Sequence, residues 1–520
     1  MTRKNNNTLK TKLLPFAASA YVMAATAGML LIYNDFYYDI LETKCMYYCI
    51  CTFLMILLTG AWLFLTAHPI EAVKAWKGKG LFDIISPVDL AVILWGMTIV
   101  LSTMFSPVRI HAFWGNGGRY AGCLLLILYI AAYFFITRYY FAKEWHVMIF
   151  LAAGMFMCLF GITDFFDMDL LGFKAEIKET QRYMFTSTIG NINTYTSCVA
   201  MVMACAGMLF LSARDKKRAV LYGSCTVISF IALILGESDN AYLSLAAFFG
   251  FLPFYGFQTR KGTRRYVMLA AAFFTVAGGI GLISREMAGQ VISISGLFQV
   301  IAGSRLLPGV ILLLWILAAV CWQAEKGSTG DEAAAASRLI RGWMLLLAVL
   351  ILAVTFVLYD VNAAGNGSRY GGLQSYLLFN DEWGTHRGYI WRIAVEGYKK
   401  FPLLQKLFGY GPDTFQFVTR MNNYPEMIIR YQEIFDSAHN EYLQYLVTIG
   451  LFGLAAYCGV LITAAVCAGK RKTDALAAAA WMAVVCYSFQ AAVNITQPIA
   501  TPVMWTLLAI SVSGKKKTVK

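Results

Sequence analysis

Apolar runs close to the roughly 20 residues that cross a bilayer as one helix recur along almost the whole 520-residue chain. No other feature constrains the fold as strongly, because backbone polar groups in hydrocarbon need internal partners and a helix supplies them. Composition agrees: 59% of residues are hydrophobic and 14% charged, against roughly a quarter charged in soluble domains. The chain reads as an all-α, polytopic integral membrane protein.

Hydropathy places about fourteen spans (12 to 14), at 13–33, 46–67, 88–106, 119–137, 146–165, 193–212, 220–236, 240–256, 266–283, 300–322, 340–359, 442–468, 475–490 and 496–513. The apolar stretch 13–33 is long for a signal peptide and is soon followed by another span, so it reads as a retained helix. Alternate connections, "TRKNNNTLKTK", "VKAWKGKG", "RYYFAKEW", "ARDKKRA", "QTRKGTRR", "KRKTD" and "GKKKTVK", are basic, whereas "NDFYYDILETK", "GESDN" and "AAVNITQ" are neutral or acidic. The positive-inside rule then puts both termini in the cytoplasm. It puts 164–191, 237–240 and the long polar stretch 360–438 outside. The net charge of +14 is distributed among these short clusters and forms no continuous basic face, which argues against a nucleic-acid partner. The twelve cysteines all sit in or beside apolar runs, so neither a disulfide framework nor a metal site is expected.

Three regions follow: 1–359 with about eleven helices, the extracytoplasmic loop 360–438, and 439–520 with about three helices and a basic tail. Many aromatics make the loop an unlikely linker. Within it "HRGYIWRIAVEGYKKFP" spaces Ile390, Ala394 and Tyr398 as one face of an amphipathic helix ending at Pro402. Signatures of soluble nucleotide and metal enzymes are absent. The expected outer rim nevertheless gathers polar candidates: His439 and Asn440 ahead of the late helix, Arg387 and Arg392 in the loop, Arg182 before "TSTIGNINTY", Arg119 opening the fourth span, and Arg305 near a span end. Plainer readings stand beside these. Asn191 and Asn193 suit helix capping, Gly409 and Gly411 suit turn geometry, and Asp436 and Glu441 suit a helix N-terminus.

"AHNEYLQYLVTIGLFGLAAY" resembles the C-terminal signature of the O-antigen ligase and Wzy polymerase superfamily. "HRGYIWRIAVEGYKKFPLLQKLFGYGPDTF" and "RYMFTSTIGNINTYTS" are similar to its loop and helix-start patterns. The resemblance covers roughly residues 110 to 510. One departure concerns "GESDNAYLSL", where Ser238 and Asp239 stand at the turn in which the family often has Ser-Arg.

The resemblance implies a GT-C-like bundle in the bacterial cytoplasmic (inner) membrane. It implies transfer of a glycan from an undecaprenyl diphosphate-linked donor to a hydroxyl of a glycan, lipid or protein acceptor, without cofactor or metal. Guanidinium groups suit the diphosphate, since their planar donors bind phosphate oxygens in pairs and stay charged. Arg387 is the first candidate for that role, then Arg182, with Arg119, Arg392 and Arg305 behind. His439 is the candidate base for the acceptor proton, with Asn440 orienting the imidazole or an acceptor, and Asp436 or Glu441 as partner for its other nitrogen. Ligase and polymerase differ only in acceptor. A transporter or flippase for the same lipid-linked sugars is the alternative, and it predicts charges at mid-membrane depth.

Overall fold

The computed structural model describes residues 2–66, 85–292, 294–327, 332–471 and 473–514; the basic stretches "VKAWKGKG" and "KKKTVK" lie outside the described residues. The described residues fold as helices joined by loops, with one two-residue β-ribbon among them. In order they are α1 (Thr2–Met23, continued by a π-helical segment Ala24–Gly28 and by Met29–Leu31), α2 (Ile40–Thr66), α3 (Pro87–Phe105), α4 (Arg109–Trp114), α5 (Cys123–Tyr139) and α6 (Glu144–Phe165). The ribbon pairs Phe185–Thr186 with Gly190–Asn191. Next come α7 (Ile192–Ser212), α8 (Lys216–Leu235), α9 (Ala241–Phe251), α10 (Arg260–Glu286), α11 (Leu307–Gly327) and α12 (Glu332–Asn362). The long loop carries α13 (Trp383–Lys400), α14 (Leu403–Phe408) and α15 (Phe415–Tyr431), and the chain closes with α16 (Glu441–Thr448), α17 (Gly450–Lys470), α18 (Ala475–Gln490) and α19 (Ala500–Val512).

Eleven helices among the described residues are long and apolar enough to cross a membrane, and three shorter apolar helices, α5, α9 with its continuation to Gly256, and α19, occupy the remaining expected positions. At the centre stands α7, buried at every residue from Thr194 to Leu211. Its small side chains allow this: Gly207 lies under the Phe248 ring, where a Cβ would collide, and small residues are what let helices approach closely in a membrane. The opposite case is α12, whose described residues are mostly exposed and whose side chains there are Leu, Val, Ile and Phe, as a helix facing lipid requires.

One expectation needs correction. The apolar pattern over 442–468 reads as a single helix, but the structure divides it into α16 and α17 at Gly450, which has φ +74°. The physical reason lies in the glycine turn of the loop. Tyr410 N–H donates to the Val447 carbonyl (3.1 Å) and Gly411 N–H to the Thr448 carbonyl (2.8 Å). Ser102 Oγ adds a second donor on Thr448 (2.8 Å). The carbonyls at the end of α16 are therefore satisfied from outside the helix, and the ladder need not continue. Such proximity requires bare backbone: a Cβ on Gly409 or Gly450 would overlap the facing main chain. The loop also has a core of its own, built on Tyr389, Ile390, Ile393, Phe415, Val418 and Phe435, and its amphipathic helix buries Ile390 and Ala394 with Gly397 between them and Pro402.

Candidate functional site

The loop 436–440 is held rigidly before α16 begins. Trp391 Nε1 donates to the Ala438 carbonyl (2.9 Å), Gln444 Oε1 accepts from the Ala438 N–H (2.9 Å), and Asn440 caps α16 by accepting from Leu443 N–H (3.0 Å). Between them His439 sits at φ +46°, a left-handed conformation that costs a non-glycine residue about 1–3 kcal/mol. Its imidazole is pushed down to about 3, first by burial, then by the positive charges of Arg387 and Arg119, with the Asp436 carboxylate opposing. His439, Arg387, Arg119 and Asp436, from three distant parts of the chain, thus share one electrostatic neighbourhood.

Each cation there is differently bound. Arg119 grips Asp436 with two parallel bonds, Nε to Oδ2 at 3.1 Å and Nη2 to Oδ1 at 2.8 Å. Arg387 makes no salt bridge among the described residues; Nη1 donates to the Gly384 carbonyl (2.9 Å), while Nε is buried with no partner. Burial lowers its guanidinium from the ordinary value and the Asp239 carboxylate partly offsets this. Three consecutive left-handed residues, Gly384, Thr385 and His386, deliver Arg387 to the first regular turn of α13. A desolvated guanidinium with an orphaned donor, set in strained backbone, is the chemistry of an anion-binding site.

Asp413 ties this rim together. Its Oδ2 accepts from the N–H groups of Asn116 (2.6 Å) and Ala121 (3.0 Å), fixing the loop that carries Arg119 to the glycine turn that anchors α16. Burial pushes its carboxyl up to about 7, against those two donors and Arg119. Glu441 turns the other way, fully buried, accepting from Tyr457 (2.6 Å) and Tyr487 (3.0 Å). It therefore points toward α17 and α18 and is engaged there.

The other candidates lie elsewhere. Arg392 is engaged by Asp381, Glu396 and Glu426 (3.0 to 3.3 Å), and with Arg430 it staples α13 to α15. Arg182 is exposed, donating from Nε to the Ile177 carbonyl (3.2 Å). Arg305 is exposed in the turn before α11. Asn191 caps α7, accepting from Asn193 N–H (2.9 Å). Sequence reasoning passed over Asp413, although an acidic residue after Gly-x-Gly-Pro was the available signal. It read Asp239 only as a departure, whereas the structure sets that carboxylate toward Arg387. Among the described residues no group of three His, Cys, Asp or Glu is arranged to hold a metal ion.

Fold and site define a multi-pass helical membrane protein whose polar centre sits where a long inter-helix loop meets the ends of the spans. Residues 290–458 match the family model Wzy_C, O-Antigen ligase, a match that supports membership of the O-antigen ligase superfamily. The match contains Arg305, Arg387, Arg392, His439 and Asn440, and leaves Arg119 and Arg182 outside. No curated protein matches the chain. That family match and the many apolar helices together support a membrane enzyme of surface polysaccharide assembly.

Proposed function

We propose that the chain transfers a glycan from undecaprenyl diphosphate to an acceptor hydroxyl on the outer face of the bacterial cytoplasmic membrane, without a metal, as a ligase or polymerase. One observation carries the reading: a buried guanidinium with an unpartnered donor, Arg387, stands in the electrostatic neighbourhood of a neutral imidazole, His439. The acceptor oxygen forms its bond to the anomeric carbon as the bond to the diphosphate oxygen breaks. The leaving diphosphate takes that electron pair, and His439 takes the acceptor proton. Arg387 and Arg119 stabilise the charge that grows on the leaving group.

The low basicity of His439 is that of the protein by itself. A diphosphate placed against Arg387 and Arg119 cancels the two charges that disfavour the imidazolium, so donor binding raises the imidazole toward the range in which it works as a base. The base is thereby activated by the substrate it serves.

Reconstitution of the full chain with undecaprenyl diphosphate-linked glycan and candidate acceptors tests this. Transfer is expected with the wild type in EDTA and is expected to be lost in His439→Ala and Arg387→Ala. Transfer surviving both substitutions sinks the residue roles; transfer abolished by EDTA sinks the metal-free mechanism.

A further inference from the structure

A cavity of 310 Å3 lies where the ends of α6 and α8 meet the 166–191 loop, at the lower end of the roughly 300–1,000 Å3 range of small-molecule sites. Phe165, Tyr183 and Phe185 give it aromatic walls, and Asp164, Lys174 and Glu237 give it polar ones. The polar groups are built in. Asp164 accepts from Lys174 Nζ (2.9 Å) and from Thr186 Oγ1 (2.7 Å), and both members of the ion pair are about nine-tenths buried, with 10% exposure each. Glu237, held at φ +48°, accepts through Oε2 from both the N–H (2.8 Å) and the hydroxyl (2.6 Å) of Ser295. Its other oxygen, Oε1, is buried with no hydrogen-bond partner among the described residues, and burial holds the carboxyl above its usual range.

A buried carboxylate oxygen left unpaired asks for a hydroxyl or amine donor. An acyl chain offers none, and a phosphate brings charge of the wrong sign. A sugar ring offers both required surfaces, an apolar face for the aromatics and a hydroxyl for Oε1. The placement is equally specific. Two residues beyond Glu237 on the same turn, the Asp239 carboxylate acts on both Tyr376 and Arg387, so one turn contributes to the cavity wall and to the field at the transfer centre.

We propose that the cavity is a glycan-binding subsite that seats a pyranose unit between Tyr183 and Phe185, with Glu237 Oε1 accepting one of its hydroxyls. The proposal rests on the transferase reading only for which substrate supplies the sugar: the donor glycan or the acceptor glycan. The 179–184 turn that carries Arg182 and Tyr183 then forms the rim of this subsite.

The test uses full-length protein in detergent and, as probe, the phosphate-free oligosaccharide released by mild acid from the source cells' lipid-linked glycan. Glu237→Leu is expected to weaken probe binding roughly tenfold or more, the loss of one hydrogen bond to a charged acceptor, with a smaller loss in Glu237→Gln. Tyr183→Ala, whose side chain is 65% exposed and whose removal spares the core, is expected to weaken it also. His439→Ala is expected to bind the probe as wild type does. In turnover, a raised KM for the lipid-linked glycan assigns the subsite to the donor, and a raised KM for the acceptor assigns it to the acceptor. Probe binding unchanged in Glu237→Gln and Tyr183→Ala overturns the subsite, whether or not Glu237→Leu folds. If the wild type transfers nothing while probe binding still depends on Glu237, the transferase reading fails and the subsite stands. If the wild type transfers glycan while probe binding ignores Glu237 and Tyr183, the subsite fails and the transferase reading stands.

Discussion

His439 is the residue on which chemistry and conformation converge. Its imidazole is neutral in the free protein because its value lies near 3, well below the ordinary 6.5. In an Asp413→Asn background, which removes the carboxyl raised to about 7, the acid limb of kcat/KM, which reports free enzyme, should show no inflection near pH 6.5, while that of kcat should lie higher, because bound diphosphate favours the imidazolium. Steady-state rates between about pH 4 and 9 check this; an inflection near 6.5 in kcat/KM would place His439 outside the field of Arg387 and Arg119. His439→Ala should cost about 10²–10⁴ in kcat. Arg387→Lys should recover little, since an ammonium keeps the charge and loses the planar fork. Arg392→Ala behaves differently: its staple of carboxylates and arginines joins α13 to α15, so the variant should lose melting temperature and not donor affinity.

Among elements, the break between α16 and α17 decides where His439 sits. The glycine turn 409–411 hydrogen-bonds to the last carbonyls of α16, and Asp413 in the same turn holds the loop of Arg119. Gly409→Ala forces a Cβ into the Thr448 carbonyl at a backbone φ of +78°. It should lower the thermal midpoint in detergent and reduce transfer together, because it displaces an element and not a single group. Asp413→Ala leaves two part-buried N–H groups unsatisfied, a loss of about 1–3 kcal/mol for each; Asp413→Asn, which keeps an acceptor oxygen, should recover most of the midpoint. Equal loss in both variants would show that charge, not hydrogen-bond acceptance, is what the loop needs.

For the whole molecule the prediction concerns sidedness. The turn at Glu237–Asn240, the loop around Glu382 and the connection at Lys216 are all described, and the basic connections alternate with the polar ones. In a cysteine-free background, Glu382→Cys should react with a membrane-impermeant maleimide in intact cells, and Lys216→Cys only after permeabilisation. Labelling of both from one side would separate the site from the outer face and remove the donor from its reach.

Hydropathy alone determined the helical membrane class, since apolar runs of bilayer length have one backbone solution in lipid, and the motif around His439 pointed to the family. Sequence also located the amphipathic helix of the loop, because a 3.6-residue period is a local property. Tertiary structure decided the rest. Nothing in the order of residues shows that Arg392 is consumed by carboxylates while Arg387 keeps a free donor, that Asp436 belongs to Arg119 and Glu441 to two tyrosines, or that the apolar run breaks into two helices just before Gly450. Those outcomes depend on which groups meet across hundreds of residues, and burial and charge act through space, where neighbours along the chain have no privilege.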